Sequence, residues 1–220
     1  MFIDALTYPF RKSGWIMIVL GAIFSVILDF LMSAPLIGIL VALFSGGYFG
    51  AFYLDIVSST MTGRDHPPEW PSFSNFIEDL LRPLFRLIAL AIISFAPVIA
   101  AAALFSDNEA LLVPAILVAV AFGCCYFPMA VLAAQAFGGI GAAFPHIVLP
   151  AMIKALPGYL LALGALILVF VVCALTQEFT ASLPYVGWFI ASAVALYGMM
   201  VQGRLIGLIY VEKQDRLGWE

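Results

Sequence analysis

Residues 112–122 read LVPAILVAVAF, and this run decides the fold class of the chain. A strand of a membrane β-barrel would alternate between apolar and polar residues over about ten positions. This run does not alternate, and it continues without a charged residue over Leu111–Gln135. A helix needs about 20 mainly apolar residues to cross the hydrocarbon core of a bilayer. The stretch is long enough, and we predict that it forms a transmembrane helix.

Five further stretches meet the same criterion of length and apolar composition. The whole chain agrees with this pattern, because its 220 residues are 65% hydrophobic and only 10% charged, with a mean hydropathy of +1.13. These values exclude an ordinary soluble domain and a disordered chain, and a net charge of −4 excludes a basic nucleic-acid binder. We therefore predict an all-α membrane protein with six spans, the other five being Trp15–Met32, Pro35–Val57, Leu84–Phe105, Tyr159–Gln177 and Tyr185–Tyr210.

The charged residues between the spans predict how the chain crosses the membrane. All nine Lys and Arg residues lie before the first span, in or beside the second connection, in the fourth connection, or toward the C-terminal end. The other three connections lack positive charge and carry Asp107, Glu109 and Glu178 instead. Connections rich in Lys and Arg stay in the cytoplasm. We expect both termini on that side.

Three short segments precede the first, third and fifth spans, and they suggest an internal repeat. Phe2–Phe10, Ser72–Arg82 and Ala142–Ala155 have the features of interfacial helices, most clearly the second, whose apolar residues share one helical face and which Ser72 or Ser74 could cap. Pro residues at positions 9, 83 and 157 recur every 74 residues. We predict a single membrane domain of three parallel hairpin units, at about 2–60, 72–137 and 142–211, followed by a cytoplasmic tail at 211–220. Parallel units count against an alternating-access carrier, since many such carriers contain inverted repeats.

Two motifs resemble a known family. Gly47-Tyr48-Phe49 is followed by Gly63-Arg64-Asp65-His66-Pro67-Pro68-Glu69-Trp70, and the chain closes with Gly203-Arg204-Leu205-Ile206-Gly207-Leu208-Ile209-Tyr210 and then Arg216-Leu217-Gly218-Trp219. The pattern is similar to a bacterial and archaeal family of multi-pass membrane proteins of unknown function. The resemblance implies a prokaryotic plasma membrane, here the inner membrane, and assigns no activity, substrate or catalytic residue.

Charged residues within spans are candidates for functional or structural roles. Asp29 lies toward the non-basic end of the first span. Asp55 and Arg204 occupy equivalent places near the basic ends of the second and sixth spans, and we predict that they form an ion pair. The alternative is that both reach the headgroups independently.

The loop after the second span is predicted to form a cytoplasmic cap or a docking surface for a partner. Its residues are Arg64, Asp65, His66, Pro67, Pro68, Glu69 and Trp70. The prolines stiffen the loop, and the tryptophan suits the membrane interface. Its acidic and histidine side chains could bind a metal, but the only other histidine is His146, so we predict no metal site.

The small residues of the spans favour close helix packing. Gly46 and Gly50, like Gly203 and Gly207, have the spacing that lets two helix backbones approach each other. Cys124, Cys125 and Cys173 lack any metal or redox motif and are interpreted as small apolar side chains.

The sequence indicates the fold of this protein more directly than its function. No motif of a hydrolase, zinc protease, P-loop or dinucleotide-binding enzyme is present. We predict a protein that is not an enzyme, needs no cofactor and contacts the bilayer, other membrane subunits or copies of itself, with no nucleic acid. The expected role is an accessory, scaffold or membrane-organising subunit. A channel or permease for a small solute or lipid is the main alternative, and an intramembrane enzyme acting on lipids is the third.

Overall fold

The structure, a computed structural model, describes residues 1–35, 37–72, 74–156, 158–183 and 186–219. These residues contain no strand, and six of their helices are long and apolar enough to cross a membrane. The all-α polytopic prediction is confirmed, and the chain is a multi-pass membrane protein. The helices are α1 (Phe2–Thr7), α2 (Gly14–Met32), α3 (Gly38–Met61), α4 (Arg82–Leu104), α5 (Glu109–Ala136), α6 (Pro145–Ala155), α7 (Gly158–Thr180) and α8 (Val186–Leu217).

The boundaries follow the sequence closely at most ends. α8 departs most, because it continues seven residues beyond the expected end at Tyr210 and finishes at Leu217. The predicted start of that span, Tyr185, and the repeat landmark Pro157 lie outside the described residues. The three-unit repeat therefore stays a prediction.

Two of the three expected interfacial segments form short separate helices. α1 continues into a 3₁₀ turn at Tyr8–Phe10, and α6 follows a 3₁₀ turn at Ile140–Ala143. Proline stands at the second position of one turn and at the first position of α6, where no intrahelical partner is needed for its missing N–H.

The second segment differs from the expectation, because it joins α4 without a break. Ile77–Leu81 forms a π-helical turn that leads directly into α4. Pro83 lies four residues after Asp79, so it removes one α-helical hydrogen bond and crowds the Asp79 carbonyl. The wider turn, in which the N–H of Arg82 donates to the Ile77 carbonyl, relieves that conflict.

The start of this turn is capped by a residue other than the expected serines. The Asn75 side-chain oxygen accepts a hydrogen bond from the Ile77 N–H at 3.2 Å. The Asp79 carboxylate in turn accepts from the Asn75 N–H at 2.9 Å and from the Ser72 hydroxyl at 3.1 Å. Asn75 is therefore the cap, and Ser72 supports the carboxylate. Phe73, part of the predicted apolar face, lies outside the described residues.

The chain forms two compact units. Unit 1 comprises residues 1–84 and 160–212, and unit 2 comprises residues 85–159 and 213–220. In unit 1 one core cluster joins Tyr8, Phe52, Ile56 and Met200, while α1 packs through Ala5 against α8. Unit 1 thus buries the N-terminal segment against its long helices.

Unit 2 is organised around the second half of α5. Residues 128–134 of that helix are buried, and the Tyr126 hydroxyl donates to the Ala143 carbonyl at 2.6 Å. The Tyr159 hydroxyl donates to the Cys125 carbonyl, and the Arg86 guanidinium donates to the Ala134 carbonyl. These side chains tie the 3₁₀ turn at Ile140–Ala143 and the first turns of α7 and α4 to α5.

Candidate functional site

The loop after α3 begins at a helix end that the sequence determines. Gly63 adopts a left-handed conformation with φ of 81°, and its N–H donates to the Thr60 carbonyl. The N–H of Arg64 donates to the Ser59 carbonyl. This pair of bonds is a Schellman motif, which glycine favours because it lacks a Cβ atom. The motif stops α3 and sets the direction in which the loop leaves it.

A buried arginine on α8 holds this loop. Arg204 is only 3% exposed, and all three of its guanidinium nitrogens are hydrogen-bonded. Nε donates to the Asp4 carboxylate at 2.9 Å, Nη2 donates to the Asp65 carboxylate at 3.2 Å, and Nη1 donates to the Arg64 carbonyl at 2.5 Å. The guanidinium carbon also lies 4.9 Å from the ring centroid of Tyr8, within range of a cation–π interaction. One cation therefore connects α1, α8 and the loop.

A second arginine completes the charge balance around Arg204. Arg11 lies 2.5 Å from the Asp4 carboxylate and donates to the Asp65 carbonyl at 3.1 Å. Two guanidinium groups thus face two carboxylates, and this balance of charge compensates the cost of removing the Arg204 cation from water. We call Asp4, Tyr8, Arg11, Asp65 and Arg204 the Arg204 cluster.

The predicted pair of Asp55 with Arg204 is wrong, because the arginine nitrogens bind the other groups just described. Asp55 is exposed on α3. Gly203 packs against Ile56 of α3, and Arg204, one residue further, lies about 100° around the helix axis. That rotation directs Arg204 away from α3 and toward the N-terminal segment. The sequence does not indicate Asp4 as a partner of Arg204, because 200 residues separate the two. The one sign of a role for Asp4 is that it is an acidic residue in a short apolar segment.

The loop is attached at His66 as well. The Tyr8 hydroxyl donates to the His66 carbonyl at 3.2 Å, and burial raises the pKa of Tyr8, so its hydroxyl stays a donor. The His66 ring lies 3.2 Å from the Lys12 amine through Nε2 and 3.1 Å from the Pro67 carbonyl through Nδ1. Pro67 itself is buried. The N-terminal segment therefore contacts the loop at several consecutive residues.

Trp70 packs among the helices of unit 1. Its ring stacks on Phe52 at 4.5 Å and 24°, and on Tyr48 at 5.4 Å and 9°. A Cβ atom at Gly21 of α2 would come within 2.8 Å of the indole, so glycine makes room for it there. Trp70 thus anchors the end of the loop in the core of unit 1.

The loop presents its charged side chains outward. Arg64, Asp65 and Glu69 are exposed, Asp65 by 81% of its side chain, and Pro68 is half-buried. Within the described ranges no group of three His, Cys, Asp or Glu side chains could hold a metal ion. His146 lies in unit 2, where its ring is 6.5 Å from that of Phe144.

The glycines of the packing motifs differ in what they contact. A Cβ atom at Gly203 would lie 2.8 Å from Ile56, and one at Gly207 would meet Thr60 and lie 3.0 Å from the Val57 carbonyl oxygen. A Cβ atom at Gly46 would lie 3.2 Å from Leu84, and Gly50 is buried in α3. The closest approach on that side falls at Gly47, where a Cβ atom would lie 2.7 Å from the carbonyl oxygen of Leu80.

No protein-family model, curated protein or solved structure matches this chain. The resemblance to a family of multi-pass membrane proteins stays a prediction.

Acidification is expected to weaken the Arg204 cluster. Burial by itself would raise the pKa of Asp4, but hydrogen bonds and positive charges from Arg11 and Arg204 lower it below its ordinary value. A carboxyl group whose pKa is lower in the folded state stabilises the protein above its unfolded pKa, near 4, and loses that contribution as pH falls through the folded pKa. We expect the unfolding midpoint to decline as the pH falls below about 4, and Asp4→Asn to make that decline shallower. A decline of equal size in Asp4→Asn and wild type, followed by circular dichroism in detergent, would assign it to other carboxylates.

Proposed function

We propose that this chain is a non-catalytic subunit of a larger membrane complex, and that the loop 62–71 is its docking surface for a partner. The observation that supports this proposal is the combination of a fixed backbone with exposed charges. Arg204 binds the Arg64 carbonyl, Arg11 binds the Asp65 carbonyl and Tyr8 binds the His66 carbonyl. The side chain of Arg64, whose carbonyl is bound, and that of Glu69, three residues after His66, are both exposed.

A loop held in this way suits recognition for an energetic reason. Ordering a flexible loop on binding costs free energy, and a loop that is already ordered avoids that cost. Charged side chains around it would choose the partner and set its orientation. The buried arginine is then explained as support for the surface rather than as a reactive group.

The proposed location follows from the distribution of charge. Because all nine Lys and Arg residues are predicted on one side, the loop and the Arg204 cluster would face the cytoplasm of a prokaryotic cell, with both termini. A partner would be either a membrane protein with a cytoplasmic surface or a peripheral protein bound there.

Site-specific crosslinking tests the docking surface. A photoreactive amino acid at position 69 is expected to crosslink one partner in native membranes, and the double variant Arg64→Glu with Glu69→Lys is expected to prevent its co-purification. The matched control exchanges the charges of two exposed residues near the end of α8, Asp215→Lys with Arg216→Glu, and likewise leaves the net charge unchanged. Equal co-purification of the partner with both double variants, or no crosslinked protein at position 69, would contradict the proposal.

A further inference from the structure

An open pocket with mainly apolar walls lies at the surface of unit 1, away from the Arg204 cluster. It has a volume of about 470 Å³ and is bordered by α2, α3, α7 and α8. Among its lining residues are a carboxylate, an amide, two hydroxyl groups and an indole, from Asp29, Gln177, Ser25, Ser192 and Trp188. Sites for small molecules typically have volumes of about 300–1,000 Å³ and combine a few polar groups with apolar walls. The cavity has that size and that composition.

Asp29 gives the cavity a negative wall. The lining residues that the structure describes contain no lysine or arginine to balance this carboxylate. Asp29 also borders a second cleft of about 230 Å³, together with Ser25 and Ser45, so it is accessible from two sides. Asp29 is exposed and lies three residues before the end of α2, so its carboxylate is open to a ligand.

The other walls indicate what kind of cation would fit. Trp188 supplies an aromatic ring, and aromatic rings attract organic ammonium groups through cation–π interactions. Phe49, Leu196 and Met199 supply apolar surface for methyl or methylene groups. A bare metal ion would instead need several convergent oxygen ligands, and Ca²⁺ takes about 6–8 of them. The mixture of one carboxylate, one indole and apolar walls favours an organic cation.

We propose that this cavity binds an organic ammonium group through Asp29 and Trp188. The group could belong to a lipid headgroup or to a free small amine, since both present the same charge and similar alkyl substituents. This site does not depend on the docking surface of the loop, because it uses none of the loop residues.

Two binding measurements on the full chain separate these sources. In the first, unfolding temperatures in detergent are measured with tetramethylammonium or ethanolamine, against sodium chloride of equal ionic strength. A ligand that binds only the folded state raises the unfolding temperature. In the second, native mass spectrometry of nanodiscs compares retention of phosphatidylethanolamine with retention of phosphatidylglycerol. A rise of the unfolding temperature with an amine would identify the ligand as a free amine. Selective retention of phosphatidylethanolamine would identify it as a lipid headgroup.

Two variants and one control connect either signal to the cavity. Asp29→Asn removes the charge with little change of shape, and we expect it to weaken binding about tenfold or more, because hydrogen bonds to charged groups are the strong ones. Ala195→Leu leaves the charge in place and fills part of the cavity, so it is expected to weaken binding too. Asp55→Asn, an exposed aspartate on α3, is expected to bind like wild type.

The proposal is overturned if neither an amine nor phosphatidylethanolamine gives a signal above its control. It is also overturned if Asp29→Asn and Asp55→Asn change that signal equally. Should Asp29→Asn fail to fold, the folded Ala195→Leu variant decides: an unchanged signal contradicts the site, and a reduced one supports it.

Discussion

Replacing Arg204 with methionine is expected to lower the free energy of unfolding by about 3 kcal/mol, the lower end of the range for breaking a buried ion pair. Methionine fills much of the same volume but leaves Asp4 next to a single arginine and leaves the Arg64 carbonyl without its donor. We expect the lower end of that free-energy range because the side chains of Asp4 and Asp65 are 31% and 81% exposed. Water can therefore replace part of the hydrogen bonding that these carboxylates lose with Arg204.

The control for this prediction is Arg64→Met in the same loop. Arg64 contributes its backbone carbonyl to the cluster, and its side chain is exposed, so this variant should change the free energy of unfolding by less than about 0.5 kcal/mol. Denaturant titrations in detergent micelles, followed by circular dichroism, measure both variants. Equal stability of Arg204→Met and Arg64→Met would show that the buried guanidinium does not hold unit 1 together.

Replacing Gly207 with valine is expected to cost about 3 kcal/mol, at the upper end for overpacking a tight interface. A Cβ atom at this position would press on Thr60 and lie 3.0 Å from the Val57 carbonyl oxygen, so part of the conflict is with backbone. Backbone of α3 cannot rotate away as a flexible side chain could. The two helices must separate, and they lose the packing between Ile56 and α8.

Gly164→Val on α7 is the matched control for Gly207→Val. It makes the same chemical change within a helix, but a Cβ atom at Gly164 would meet nothing within 4 Å. The control shares the change in helix propensity, which favours valine over glycine by a few tenths of a kcal/mol, and lacks the clash. The same denaturant titrations give the difference between the variants. A destabilisation of similar size at both positions would mean that α3 and α8 are not in close backbone contact.

The six spans could be predicted because their cause is local. Apart from its two ends, a spanning helix satisfies its backbone hydrogen bonds within itself, and its apolar side chains need only an apolar surrounding. Leu111–Gln135 and the helix Glu109–Ala136 therefore agree within two residues at each end. The sequence does not predict the π-helical turn before α4, because that turn depends on how Pro83 disturbs a single helical turn. The same turn also carries the hydrogen bond from the Asn75 N–H to the Asp79 carboxylate.

The candidate site could be predicted only in part. The composition of Arg64–Trp70 predicts a cap or docking loop, and the position of Arg204 within a span marks it as a candidate. The sequence does not predict that Asp4 connects them, because a hydrogen bond across 200 residues leaves no periodic trace in a single sequence. The same holds for the stacking of Trp70 on Phe52, which the sequence does not indicate. That Trp70 lies at the membrane interface stays a prediction.

The amino-acid sequence by itself determined that this protein is helical, that it contains six spans, and approximately where each span begins and ends. Hydropathy and helix geometry act over about 20 consecutive residues, so one stretch carries all the information needed. Only the tertiary structure decided which carboxylate Arg204 binds, which glycines receive the backbone of a neighbour, and which polar residues border one cavity. Those outcomes depend on the rotation of each helix about its axis, where a change of one residue turns a side chain by about 100°. Packing of all the helices together sets that rotation.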